Sequence, residues 1–279
     1  MTSWQSGDVE VDGLRLHYTR TGGAKPPVVL AHGFSDNGLC WTPLAEALEA
    51  DYDVIMVDAR GHGHSDAPEQ GYGSAEMAED LRGVIAALGL ERPAIMGHSM
   101  GAATTLVLAG TYPDVPGAIL LEDPPAWWVV DPGKSLFNPE RLAQMRASLT
   151  ANKQKTREEL IAAQRAASPR WSEAELGPWA DSKLQLSLNV LNRIDVAPVD
   201  WQATMRRISC PALLITADPA QGGIVTEENG VALQALVPQL RIAHIPDAGH
   251  CIHRDQFDQS MDVIRGFLAE TAGSGKAHG

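Results

Sequence analysis

Six short, largely apolar runs punctuate the chain, and their spacing constrains its architecture more than any other feature. They lie at Val28-Val29-Leu30-Ala31 and at residues 52–57, 94–96, 118–121, 212–216 and 241–245. The first two, continuous and apolar, read as strands buried on both faces, the condition of a parallel sheet, and the others as further strands. Between them lie stretches of helical character at 41–48, 74–88, 100–109 and 227–236, with another at 256–268 after the last run. The 74–88 segment is the clearest, placing Met77, Leu81, Val84, Ile85 and Leu88 on one face, with Ser74 as N-cap and Gly89 as stop. Ahead of all this, residues 8–20 alternate around Asp12-Gly13 and predict an antiparallel hairpin. The pattern predicts an α/β fold with a mostly parallel sheet of about eight strands, flanked by helices.

One stretch breaks the alternation. Residues 124–200 contain no convincing buried strand, carry helical segments at 139–149 and 156–167, and hold Trp127, Trp128, Trp171 and Trp179. The expected organisation is a core of residues 1–123 and 201–279 with an inserted helical cap at 124–200. Its tryptophans are expected to form an apolar roof over a pocket. Residues 273–279 are expected to form a disordered tail.

With 279 residues, 44% of them hydrophobic, the chain can bury a substantial core. A net charge of -13 argues against nucleic acid or an anionic membrane as partner, because their phosphates would be repelled. The first residues show neither a basic region nor an apolar signal core, and no run is long enough to span a bilayer. Cys40, Cys210 and Cys251 are widely separated and odd in number, which fits reduced thiols and a cytoplasmic location.

The chemistry begins at Gly97-His98-Ser99-Met100-Gly101, where an apolar strand runs into a small-residue helix. Glycines two residues to either side permit a sharp bend that pushes the Ser99 hydroxyl outward. A serine hydroxyl needs an imidazole to take its proton and a carboxylate to hold that imidazole in the right tautomer. His250, in Ile245-Pro246-Asp247-Ala248-Gly249-His250 just past the last strand, is the best-placed base. His98 would point away from the serine, His62 and His64 sit in a glycine-bearing turn, and His253 reads as a helix-start or surface residue. The N–H of Met100 and of Phe34, the latter in His32-Gly33-Phe34, are the expected oxyanion donors.

The His32-Gly33-Phe34 segment, the turn Asp58-Ala59-Arg60-Gly61-His62-Gly63-His64-Ser65, the GxSxG elbow and the terminal Gly249-His250 follow one another in a diagnostic order. In this the chain resembles the α/β-hydrolase superfamily over nearly its full length, as a capped serine esterase or lactonase. The Asp58 segment lacks a Walker lysine and is a structural turn in relatives. His62 and His64 have no third ligand at a recognisable spacing, so no metal site is expected.

The family order is serine, acid, histidine, with the acid usually in the loop that here holds Asp218. Many relatives place it a couple of residues farther on, where this chain has Ala220. Some lipases and lactonases of the fold take it from the end of the preceding strand, which here reads Glu122-Asp123-Pro124. Adjacent strand residues face opposite ways, so at most one of Glu122 and Asp123 can face His250. Asp123, ending the strand before a proline, is the expected acid, with Asp218 the alternative and Glu122 third.

The resemblance implies a hydrolase cleaving a small neutral carboxylic ester or lactone through an acyl-enzyme, with no cofactor. Trp127, Trp128 and Phe34 are the expected substrate contacts. A perhydrolase or carbon-carbon bond hydrolase with the same triad, or a ligand receptor with little turnover, are the rivals. Haloalkane dehalogenases and epoxide hydrolases are disfavoured, since their nucleophile is an aspartate where this chain has Ser99.

Overall fold

The amino-terminal hairpin forms because Asp12 and Gly13 both accept a positive φ, 49° and 79°, at the turn between two alternating strands. These are β1 (Gln5–Val11) and β2 (Leu14–Arg20), paired antiparallel from Gln5↔Arg20 to Val11↔Leu14. The computed structural model describes residues 4–130, 139–192 and 199–274. Its sheet continues with β3 (Pro27–Ala31), β4 (Asp53–Val57), β5 (Ala94–His98), β6 (Ala118–Glu122), β7 (Ala212–Thr216) and β8 (Leu240–His244). The spatial order is β1-β2-β4-β3-β5-β6-β7-β8, and every pairing from β4 onward is parallel.

Alternate strand residues feed opposite cores. Val28, Leu30, Val54, Met56, Met96 and Leu120 pack toward α1 (Thr42–Leu48) and the carboxyl-terminal helix. Val29, Ile55 and Ile95 pack toward α2 (Ser74–Ala87) and α3 (Met100–Thr111). Each of these nine side chains is at most 1% exposed, which is why the runs lack polar alternation. Gly73, not Ser74, is the N-cap of α2, while Gly89 adopts the positive φ of 61° expected of a helix stop.

After β6 the chain makes a 3-10 turn (Trp127–Val129) and then α4 (Pro139–Lys153), α5 (Arg157–Ala167) and α6 (Glu173–Gln185). No strand interrupts them among the described residues. α5 starts with a capping box between Thr156 and Glu159. α6 packs on α5, on α1 and on the 3-10 turn Gly38–Trp41, so this segment rests on the loop that follows β3. A further 3-10 turn (Leu188–Leu191) and α7 (Trp201–Met205) lead back to β7, and α8 (Glu227–Leu236), α9 (Ile252–Asp255) and α10 (Phe257–Ser274) complete the chain. α10 extends through Ser274, beyond the helix end expected at 268; the rest of the expected tail lies outside the described residues. No described helix is long and apolar enough to cross a membrane.

Candidate active site

Ser99 stands between β5 and α3 with φ 51° and ψ -111°, a conformation that costs a non-glycine residue energy and persists only where its surroundings impose it. The two glycines of the motif are what the surroundings require. A Cβ on Gly97 would lie 2.4 Å from the Gly101 carbonyl, and one on Gly101 would lie 2.0 Å from the Ala31 carbonyl oxygen. The Ser99 N–H donates to the Glu122 carbonyl at 2.9 Å, tying the elbow to the end of β6.

One residue beyond Glu122, Asp123 is fully buried and turns out of the strand with φ 41°. Its Oδ2 accepts a 2.6 Å hydrogen bond from His250 Nδ1. The same carboxylate accepts the backbone N–H of Ile224, at 3.1 and 2.9 Å, and of Val225, at 3.0 Å. Holding Nδ1–H in this way leaves His250 Nε2 as the free base of the ring. His250 is 34% exposed, so the imidazole is reachable.

Asp218 is elsewhere. It accepts from His244 Nε2 at 3.0 Å and from the Asp247 N–H at 2.7 Å, bracing the loop before His250 without touching that ring. Glu122 points away from His250 as strand alternation requires, and grips buried His253 through Nδ1, at 2.8 and 2.9 Å, and through its N–H at 3.1 Å. His253 is a helix-start residue, the second of α9, but it is 2% exposed and stacks on Trp41 with ring centres 4.4 Å apart, which corrects the alternative of a surface residue. Burial alone would raise Glu122; the His253 and His98 rings overcome it and hold the carboxyl down at about 2.

The family assignment follows from the chain as a whole: the model of the alpha/beta hydrolase fold matches residues 26–256. The chain belongs to that family. This α/β hydrolase is 29% identical over 266 residues to N-formylmaleamate deformylase of Pseudomonas putida, covering 94% of this chain and 96% of that one. It is 25% identical over 270 residues to 2-(acetamidomethylene)succinate hydrolase of Mesorhizobium japonicum, covering 93% and 94%. Among solved structures, the enol-lactonase of Burkholderia xenovorans superposes with a TM-score of 0.72 at 25% identity, over 94% of this chain and 100% of that one.

Within this α/β hydrolase, Phe34 and Met100 meet across an apolar wall that also contains Tyr72, Leu142, Met145 and Val190, so α4 and the Leu188–Leu191 turn close over the two segments expected to supply oxyanion donors. His98 packs against the His250 and His253 rings. Its Nε2 donates to the His250 carbonyl at 2.9 Å, and its Nδ1 occupies the space a Cβ on Gly33 would need, 2.6 Å away. Burial holds His98 down at about 3, so it is a neutral prop between two loops. A cavity of about 30 Å³ behind the elbow, lined by His32, Asp80, Met100 and Thr104, includes neither Ser99 nor His250. It has room for about two waters. Among the described residues no cluster of His, Cys, Asp and Glu is arranged to hold a metal ion.

The tryptophans do not form one roof. Trp128 is 1% exposed, packs with the core around Leu106, Val225 and Leu233, and donates to the Asn229 carbonyl at 2.9 Å. That position corrects its expected role as a substrate contact. Trp127 is half-buried against Trp201, and Trp171 and Trp179 pair with each other on the α6 side. Sequence reasoning also missed the Ile224 and Val225 amides that hold Asp123; the preceding Gly222-Gly223 pair was the available sign of an unusual turn.

Proposed function

We propose that this protein is a serine hydrolase that cleaves a small acyl compound through an acyl-enzyme. Ser99 is the nucleophile, His250 the general base and Asp123 the residue that orients and stabilises the imidazolium. The observation that carries this reading is the 2.6 Å bond from His250 Nδ1 to an acid buried beside the strained serine elbow. His250 Nε2 takes the Ser99 proton as the hydroxyl attacks the carbonyl, and the Met100 and Phe34 N–H groups receive the oxyanion. The protonated His250 then hands its proton to the leaving group, and water, activated by the same ring, releases the acid. Residues 124–200 act as the cap, with Phe34, Met145 and Val190 offering apolar contacts to the substrate.

Esters and lactones fit this scheme, and the names of the relatives extend it to N-acyl amides. One relative is named for removing a formyl group from an amide, another for hydrolysing an acetamido compound, and a third for opening an enol-lactone. All three can proceed by attack of a serine on an acyl carbonyl. A panel of p-nitrophenyl esters, lactones and N-formyl and N-acetyl enamides, run on wild type and Ser99→Ala, separates these classes, and fluorophosphonate labelling identifies the nucleophile. Turnover that survives in Ser99→Ala, or absence of both labelling and turnover in wild type, would overturn the reading in favour of another nucleophile or a ligand receptor.

A further inference from the structure

A buried chain of ions runs from α6 through the loop after Phe34 to α9, just past His250. Lys183 Nζ, on α6, lies 2.7 Å from Asp36 Oδ1 and donates to the Ser35 carbonyl at 2.8 Å and to Ser35 Oγ at 3.1 Å. Asp36 Oδ2 accepts from Arg254 at 3.0 Å, and Arg254 Nε lies 3.2 Å from Glu175 Oε2, again on α6. The four side chains are between 2 and 8% exposed. Two cations and two anions so placed balance formally, as burial demands. Burial alone would raise Asp36; Arg254 and Lys183 overcome it and hold its carboxyl well below the usual carboxylate range.

The position of the network matters more than its energy. Ser35 has a φ of 65°, in the left-handed region a serine adopts only under constraint, and it follows Phe34 directly. An ammonium group has three hydrogens, and those of Lys183 find three acceptors on Ser35 and Asp36. The Trp179 ring covers the ammonium at 5.0 Å. Lys183 is therefore fully engaged in holding two loop residues and is not a free cation for a substrate. Its anchor point is α6, in the inserted segment, 147 residues from Asp36 in sequence.

We propose that Lys183 is a positioning residue for the oxyanion hole: seated from the cap, it holds Ser35 and Asp36 so that the Phe34 N–H stays aimed at the reacting carbonyl. Seating of the cap thereby becomes a condition of fast acyl transfer, and because Asp36 also binds Arg254, the same contact steadies the segment that carries His250. This rests on the reading of the Phe34 N–H as an oxyanion donor.

The test compares Lys183→Met, the charge-balanced double variant Lys183→Met/Asp36→Asn, and Arg157→Ala. The last removes an exposed bridge from α5 to Asp181 on α6 without touching the loop. Losing an oxyanion donor outright costs about 10²–10³ in kcat, so a misaligned donor predicts a fall of about 10- to 100-fold. That fall is expected in kcat on a p-nitrophenyl ester, with KM within about threefold. The rate of Ser99 phosphonylation falls in parallel, while thermal melts show the variants folded and Arg157→Ala stays within about twofold of wild type. The double variant keeps the buried charge balanced, so it decides the matter where the single variant folds poorly. Unchanged kcat in the double variant, a rise in KM alone, or an equal loss in Arg157→Ala would overturn the role of Lys183. Wild-type protein without ester turnover or Ser99 labelling would instead overturn the serine-hydrolase reading, and this inference with it.

Discussion

Replacing Asp123 by asparagine probes the candidate site at its most constrained point. Both carboxylate oxygens already accept N–H donors: Oδ1 from Ile224 and Val225, Oδ2 from Ile224 and His250. An asparagine has one oxygen and one NH₂, so whichever way it sits, a donor faces a donor. If the oxygen stays with the backbone amides, the NH₂ faces His250 Nδ1 and forces the proton to Nε2, where it blocks proton transfer from Ser99. The wrong tautomer costs about 10³–10⁴ in kcat, or about 4–5.5 kcal/mol of barrier. If the NH₂ turns inward, a buried amide loses its acceptor, costing about 1–3 kcal/mol of stability. Steady-state kinetics on an ester, paired with urea unfolding, reads both outcomes. Asp218→Asn, altering an acid that touches His244 and Asp247 instead, is expected to stay within about threefold of wild type. An Asp123→Asn enzyme within about tenfold of wild type, beside a crippled Asp218→Asn, would refute the assignment.

Gly101→Ala places a methyl group 2.0 Å from a backbone oxygen that cannot yield, so a loss of about 3 kcal/mol or more is expected in urea denaturation, and a loss under about 1 would contradict the packing. Trp128→Ala is expected to cost about 3–5 kcal/mol in the same assay while leaving KM unchanged, because the ring fills the core and not the pocket. His62 and His98 are both held down at about 3, chiefly by burial, whereas an unfolded histidine titrates near 6.5. The folded state therefore binds fewer protons. Stability that is whole above pH 6.5 falls by up to about 1.4 kcal/mol per unit for each histidine as pH drops toward 3. Urea midpoints measured from pH 7 to pH 4 show this slope, and His62→Asn is expected to shallow it by about one proton. A slope unchanged in that variant would count against a neutral buried His62.

Strands β3 to β7 were legible because each is buried on both faces and so carries its own hydrophobic signature, Val28 to Ala31 being the plainest, whereas β8 is largely exposed beyond Leu240 and its run is broken by Arg241 and His244. The serine was legible because the two glycines beside it answer to contacts at 2.4 and 2.0 Å that admit no side chain. What stayed open depended on groups far apart in sequence. Asp123 and Asp218 both follow strands within two residues; only the fold shows that the first receives the Ile224 and Val225 amides and the His250 ring. α6 was missed because Gly177-Pro178 reads as a break. Pro178 is nonetheless carried inside the helix, and a Cβ on Gly177 would meet the Arg157 guanidinium at 2.7 Å. Trp127 and Trp128 are indistinguishable as neighbours in sequence, and their different burial is decided by the turn they share. Lys183 and Asp36 gave no local signal, since neither sits in a pattern that asks for the other.

The pairing of β5 with β6 sets His98 opposite Glu122, so Ser99 and Asp123 leave adjacent strands one step beyond the same rung. Neighbouring strands lie about 4.8 Å apart, and the Ser99 N–H is itself bonded to the Glu122 carbonyl. The spacing of the proposed nucleophile and acid is thus set by the sheet, whereas the proposed base rides on a loop. If the proposed cap selects the substrate, substitution in it is expected to redraw the range of compounds admitted while leaving that spacing in place. At α6 that freedom is limited, because one lysine ties the segment to the loop that follows β3.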